Sequence, residues 1–165
     1  MAIKGKAESE TQLYDPIRKF LHSAFLTKFG NCYLETTASG RFGETLKEAV
    51  RQDIIFSFVG KKASPDLTGF IRGKSGIDGF ITVEIKPGKI TLQDIYQAKL
   101  YGDLFNAKYA LLISPQLIPE EIKRLHKNLF ILNRFMSGWL IYVGQWQGES
   151  LNQIIKVNWF PESPF

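Results

Sequence analysis

The chain has 165 residues, 44% of them hydrophobic and 22% charged, a net charge of +5 and a pI near 9.3. That length builds a core without metal or disulfide staples, and so ordinary a composition excludes a disordered or fibrous chain. Cys32 is the one cysteine, so no internal disulfide forms, and no C-x-x-C or His-rich cluster points to zinc.

The first organised segment is a helix over Leu13–Lys28, with Ile17, Phe20, Leu21, Ala24 and Phe25 at helical spacing. It starts either at Asp15-Pro16, as N-cap and first-turn proline, or at Ser9 with Gln12 as a capping box; Gly30-Asn31 stops it. Cys32–Leu34 reads as a short strand. A strong strand pattern, I-I-F-S-F-V, follows Asp53. Thr68–Arg72 and Phe80–Lys86 are further strands, joined through Gly73–Gly79 as a hairpin-like connection. Thr91 caps a helix that runs to about Phe105, with Asp94 in its first turn to suit the helix dipole. Tyr109–Ile113 is a continuous apolar run, hence a strand buried on both faces and reached by a parallel crossover. Pro119–Lys127 is a helix, Phe130–Leu132, Trp139–Val143 and Gln153–Trp159 are strands, and the closing P-E-S-P-F reads as a frayed end. Helices and strands in this mixture imply an α/β class with helices flanking a mixed sheet.

Chemistry concentrates between Pro65 and Tyr101. In I-T-V-E-I-K, Ile81, Val83 and Ile85 alternate with Thr82, Glu84 and Lys86, which places Glu84 and Lys86 on one face of a strand. An acid and a base side by side, with Asp66 upstream on a proline-led segment, suggest metal-assisted hydrolysis. Gln97 and Tyr101 are four apart and share a helical face, which Gln93 extends by one turn. Taken singly, each has a plainer account. Asp66 suits an Asx turn after Pro65, Glu84 and Lys86 a solvated strand face, and Gln97 and Tyr101 the edge of a core. His22 and His126 have no partner at catalytic spacing, and Cys32 reads as a small buried hydrophobe.

Pro65-Asp66, then Glu84-Ile85-Lys86, then Gln97-Ala98-Lys99-Leu100-Tyr101 resembles the PD-(D/E)XK nuclease superfamily with the QxxxY motif of its recombination and repair exonuclease branch. The resemblance covers roughly Leu13 to Ser114. Each motif is common by chance; their joint order is what counts. It implies a restriction-endonuclease-like fold, a mixed β-sheet flanked by helices in the order helix, three strands, helix, strand. One domain is expected over 1–165, with a core of about 10–115 and a C-terminal extension of about 116–165.

The resemblance further implies Asp66, Glu84 and the Ile85 backbone carbonyl as ligands of Mg²⁺ or Mn²⁺, ions that favour hard oxygen donors. Lys86 would orient water and stabilise developing charge, and Gln97 and Tyr101 would line the site. Some members of that superfamily carry a further Glu on the first helix; Glu10, nearer the apolar stripe than Glu8, fits that role. Gln93, Gln97, Tyr101, Lys89, Arg72, Lys61 and Lys62 are the nucleic-acid contacts expected around it, and the basic charge suits such a partner. The expected substrate is DNA rather than RNA, cut by an exonuclease or structure-selective endonuclease in repair, recombination or replication. A homodimer or larger repair complex stays open. The rivals are a catalytically inactive nucleic-acid-binding module and a subunit of a larger nuclease. The N-terminus lacks an apolar signal region and no apolar run spans a bilayer, so no membrane role is expected and the location expected is the cytoplasm.

Overall fold

Helix α1, Tyr14–Phe29, sets Ile17, Leu21 and Phe25 into the core on one face. This computed structural model describes residues 10–51, 54, 64–150 and 153–165. Neither expected start of α1 is the one used. A short 3₁₀ turn, Glu10–Gln12, leads to Leu13, which takes the N-cap position without a side-chain cap. Asp15 and Pro16 therefore lie inside the first turn, where a missing N–H leaves no helical bond unmade. Asp15 pairs with Arg18 and Lys19 at 2.8 and 2.7 Å instead of capping. The rival cap, Ser9, lies outside the described residues. Gly30 ends the helix as expected, at φ 78°.

The chain continues through β1 (Tyr33–Thr36), α2 (Glu44–Ala49), β2 (Leu67–Gly73), β3 (Gly76–Ile85), α3 (Leu92–Leu104), β4 (Ala107–Ser114), α4 (Glu120–Leu129), β5 (Asn133–Arg134), β6 (Trp139–Ser150) and β7 (Gln153–Phe160). The expected I-I-F-S-F-V strand lies outside the described residues apart from Ile54, which is helical. The hairpin between β2 and β3 is tighter than expected, with Ile77–Gly79 already in β3. Phe130–Leu132 is a turn rather than a strand, since Phe130 at φ 54° closes α4 and redirects the chain.

The seven strands form one mixed, open sheet in the order β1-β2-β3-β4-β6-β5, with β7 also on β6. β1, β2 and β3 are antiparallel; β3, β4 and β6 are parallel, and β7 returns antiparallel. Parallel neighbours need crossovers, supplied by α3 and α4. Gly69 lets β1 lie close on β2, because an added Cβ would sit 2.0 Å from the Tyr33 carbonyl oxygen.

One sheet face carries Leu67, Ile81, Val83, Ile85, Leu111 and Ile113 under α1. The other carries Ala110, Leu112, Ile141 and Val143 beneath Ile95 and Ala98 of α3 and Ile122 of α4. β4 is thus buried on both faces, as its unbroken apolar run predicts. The outer face of α3 leaves Leu92, Tyr96, Leu100 and Leu104 exposed. No described helix is long and apolar enough to cross a membrane.

The C-terminus is docked rather than frayed. Pro164 is buried, and the Phe165 ring lies 4.9 Å from Phe25 and 5.9 Å from Trp159 in edge-on contacts. Aromatic pairs of this kind add to area burial, so the tail closes the α1 side of the core. Phe165→Ala is expected to lower the unfolding free energy by about 2 kcal/mol in urea titration, the cost of emptying a partly buried aromatic site.

Candidate active site

The alternation of β3 sends Ile81, Val83 and Ile85 into the α1-side core, which obliges Glu84 to point to the α3 side. That face is covered, so Glu84 is only 3% exposed rather than a member of a solvated strand face. Asp66 stands directly before β2 and is also buried. Its Oδ2 accepts from the Ile85 backbone N–H at 2.7 Å, which ties the upstream acid to the strand carrying Glu84 and Lys86.

The Pro65-Asp66 turn is held from below by buried hydroxyls. Thr37 donates its backbone N–H to the Asp66 carbonyl at 2.8 Å and its hydroxyl to the Pro65 carbonyl at 2.6 Å. The Thr37 and Thr68 hydroxyls bond at 2.8 Å, and Ser64 donates to the Thr37 carbonyl at 2.5 Å. Satisfied polar groups of this kind fix a backbone more tightly than apolar contact does.

Lys86 continues β3 by one residue, its backbone N–H donating to the Ile113 carbonyl at 2.8 Å. Its ammonium sits 3.8 Å from Glu84 Oε2, 3.7 Å from Asp94 Oδ1 and 3.5 Å from Gln97 Oε1. These separations exceed an ordinary hydrogen bond, so the ammonium is shared among three acceptors rather than locked to one. Gln97 in turn donates to the Tyr101 hydroxyl at 3.4 Å, and both come from the inner side of α3. Glu84, Lys86, Gln97 and Tyr101 therefore form one continuous polar line.

Glu10 also belongs here. The Tyr14 hydroxyl donates to Glu10 Oε1 at 3.0 Å and faces the Asp66 carboxylate as well. Electrostatic repulsion from Glu10 reaches both Asp66 and Glu84. Burial, then neighbouring negative charge, pushes the Glu84 carboxyl upward from its ordinary range. Asp66 is raised chiefly by burial too, against the lowering pull of the Ile85 N–H. Tyr14 is raised by burial and by Asp66 and Glu10, and Tyr101 by burial and by Glu84 and Asp66, so both phenols stay protonated.

Other expected contacts are placed further out. Lys89 and Gln93 are exposed, on the loop after Lys86 and in the first turn of α3. Arg72 lies at the opposite end of the sheet, where it pairs with Ile77, about 20 Å along the strand from Glu84. It stacks on the Phe70 ring at 5.1 Å instead. Lys61, Lys62 and Glu8 lie outside the described residues.

Tyr14, Asp94 and the Thr37 network were missed in the sequence. Only Asp94 carried a signal, the T-x-x-D spacing from Thr91, and there it suggested a helix terminus rather than a site.

Among the described residues no group of three or more His, Cys, Asp or Glu side chains stands at metal-holding distance. The donor set does suit a hard divalent ion that takes one or two carboxylates and keeps waters. Among the described residues Glu84 Oε1 is buried without a hydrogen-bond partner, and the Lys86 charge and the Asp66 backbone offset only part of the carboxylate's desolvation. His22 and His126 serve structure, bonding to the Cys32 carbonyl at 3.0 Å and the Leu132 N–H at 3.3 Å. Comparison with protein-family models, with curated proteins and with solved structures finds no match.

A carboxyl raised from 4.5 to about 8 stabilises the fold most below its unfolded value and loses that contribution as pH rises through the folded one. The metal-free protein is therefore expected to lose thermal stability between about pH 5 and pH 8. Glu84→Gln should flatten this slope and melt on the order of 5 °C above the wild type at pH 8, measured by calorimetry without divalent ions. A slope unchanged by the substitution would mean that Glu84 is not the group responsible.

Proposed function

We propose that this chain is a divalent-metal-dependent nuclease of the restriction-endonuclease-like kind, hydrolysing phosphodiester bonds in DNA. The observation that carries the reading is the partnerless, buried Glu84 Oε1 beside Asp66, with the Lys86 ammonium at the same edge. Two acids and a lysine gathered on buried backbone are costly to fold. Perturbed carboxyls of this sort mark functional sites.

Under this reading Asp66, Glu84 and the Ile85 carbonyl would hold Mg²⁺ or Mn²⁺, with Glu10 available at the same corner through Tyr14. The bound ion would supply a water of lowered pKa and a clamp for phosphate oxygens. Lys86 donates toward the water and toward charge developing on the phosphate. Gln97, fixed between Lys86 and Tyr101, offers its amide to a phosphate or nucleotide edge. Lys89 and Gln93, exposed beside this edge, would meet the backbone of the bound strand. With Cys32 unpaired and DNA as the substrate, the activity belongs to the cytoplasm, in repair, recombination or replication.

The reading is tested by incubating the wild type and Lys86→Ala with labelled single-stranded, duplex and branched DNA in Mg²⁺, Mn²⁺ or EDTA. Cleavage is expected only with a divalent ion and should fall at least about 100-fold in the variant. The substrate pattern then distinguishes an exonuclease from a structure-selective endonuclease. No cleavage of any substrate, with salt-sensitive DNA binding that Lys86→Ala leaves intact, would make the chain a binding module instead.

A further inference from the structure

Asp94 divides its two carboxylate oxygens between different tasks. It is the third residue of α3, and its Oδ2 accepts from the Thr91 backbone N–H and hydroxyl, both at 2.8 Å. Its own N–H donates to the Thr91 hydroxyl at 3.4 Å, completing a capping box. That arrangement needs only Oδ2. Oδ1 is turned the other way, 3.7 Å from the Lys86 ammonium.

Both ends of this contact are anchored. Lys86 is held by β4 through its backbone N–H, and the loop after it is pinned by the Ser114 hydroxyl on the Gly88 carbonyl at 2.6 Å. Between the two anchors lies a four-carbon lysine stem that ranges widely unless its head is held. The side chains are 22% and 16% exposed, enough shelter for the pair to outlast bulk screening.

We propose that Asp94 is a positioning residue that holds the Lys86 ammonium beside, rather than upon, the Glu84 carboxylate. This inference rests on the nuclease reading for its consequence and on the geometry alone for its existence. The Glu84 and Asp94 carboxyl groups lie at nearly equal distance from the ammonium, 3.8 and 3.7 Å. Without the Asp94 charge the ammonium is drawn onto Glu84, where it competes with any cation for the oxygen that the site presents. With it, Lys86 stays at the edge with Asp94 and Gln97 as acceptors while Glu84 is free to serve as a ligand. The Asp94 charge, rather than the cap that its other oxygen completes, thus sets the reach of the lysine.

The test separates charge from capping in the metal-free full chain. Asp94→Asn keeps an oxygen acceptor for the cap and removes the charge, whereas Thr91→Ala weakens the cap and keeps the charge. The side-chain ammonium signal of Lys86 is read by ¹H–¹⁵N correlation spectroscopy and assigned by its loss in Lys86→Ala. The wild type is expected to show it. Asp94→Asn should broaden or shift it while melting within about 2 °C of wild type, and Thr91→Ala should retain it while melting about 2–4 °C lower. In cleavage assays with Mg²⁺, Asp94→Asn should lose about tenfold or more in kcat with KM for DNA within about twofold, and Thr91→Ala should leave both nearly unchanged. An undetectable Lys86 signal in the wild type, an Asp94→Asn spectrum identical to it, or losses that track melting temperature in both variants would overturn the proposal. Wild-type protein that cleaves no DNA would overturn the nuclease reading alone, because the ammonium signal still decides the role of Asp94.

Discussion

The site turns on the burial of two carboxylates at the end of β3. Asp66 and Glu84 are 5% and 3% exposed, within reach of each other's charge and of Glu10. An apolar layer cannot hold such groups ionised without help, and each element around them supplies part of it. The Ile85 N–H bonds Asp66, Tyr14 stands between Asp66 and Glu10, and Lys86 balances Glu84 from the open side. One oxygen of Glu84 remains without a partner. Under the proposed reading, that oxygen is where a cation would be held.

Helix α3 is located at both ends by charge. At its start, Asp94 joins the cap to Lys86. At its end, Asp103 accepts from Arg134 at 2.9 Å, and Arg134 is fully buried, donating also to the Ala107 carbonyl and lying 5.6 Å from the Trp139 ring. A buried guanidinium needs such partners, and its planar fork engages a side chain and a carbonyl together. Gly102 completes the seat, since a Cβ there would meet the Ala110 Cβ at 2.9 Å. The helix that carries Gln97 and Tyr101 is therefore tied to β3 at one end and to the β4–β5 side at the other. Its register over Glu84 follows from these two ties, with Ile95 and Ala98 packed between them.

Placement at the carboxyl end of parallel β3, where the chain leaves the sheet for a crossover helix, also explains how a buried pair stays reachable. Lys86 and Gln97 are only part-buried, and Lys89 and Gln93 lie open beside them. Polar contacts thus grade outward from the two acids to solvent along a single edge. Arg72, although close to Asp66 in sequence, is carried away by the direction of β2 to the far hairpin.

Several features follow from the order of residues alone. The period-two alternation of I-T-V-E-I-K is enough to put Glu84 and Lys86 on one face, and four-residue spacing is enough to pair Gln97 with Tyr101. The T-x-x-D cap, the glycine stop at Gly30 and the apolar run of β4 are likewise local properties of the chain, set by backbone geometry and side-chain type. What lay beyond local reading was everything that depends on a neighbour distant in sequence. Whether the Glu84 face is wet or dry is decided by α3, packed upon it from the next crossover. Tyr14 meets Asp66 only because α1 lies against the sheet, and Asp94 meets Lys86 only because the loop between them folds back. Phe165 closes a core begun by Phe25, 140 residues earlier in a chain of 165. Periodicity reports which way a side chain points, whereas burial and charge depend on what stands opposite.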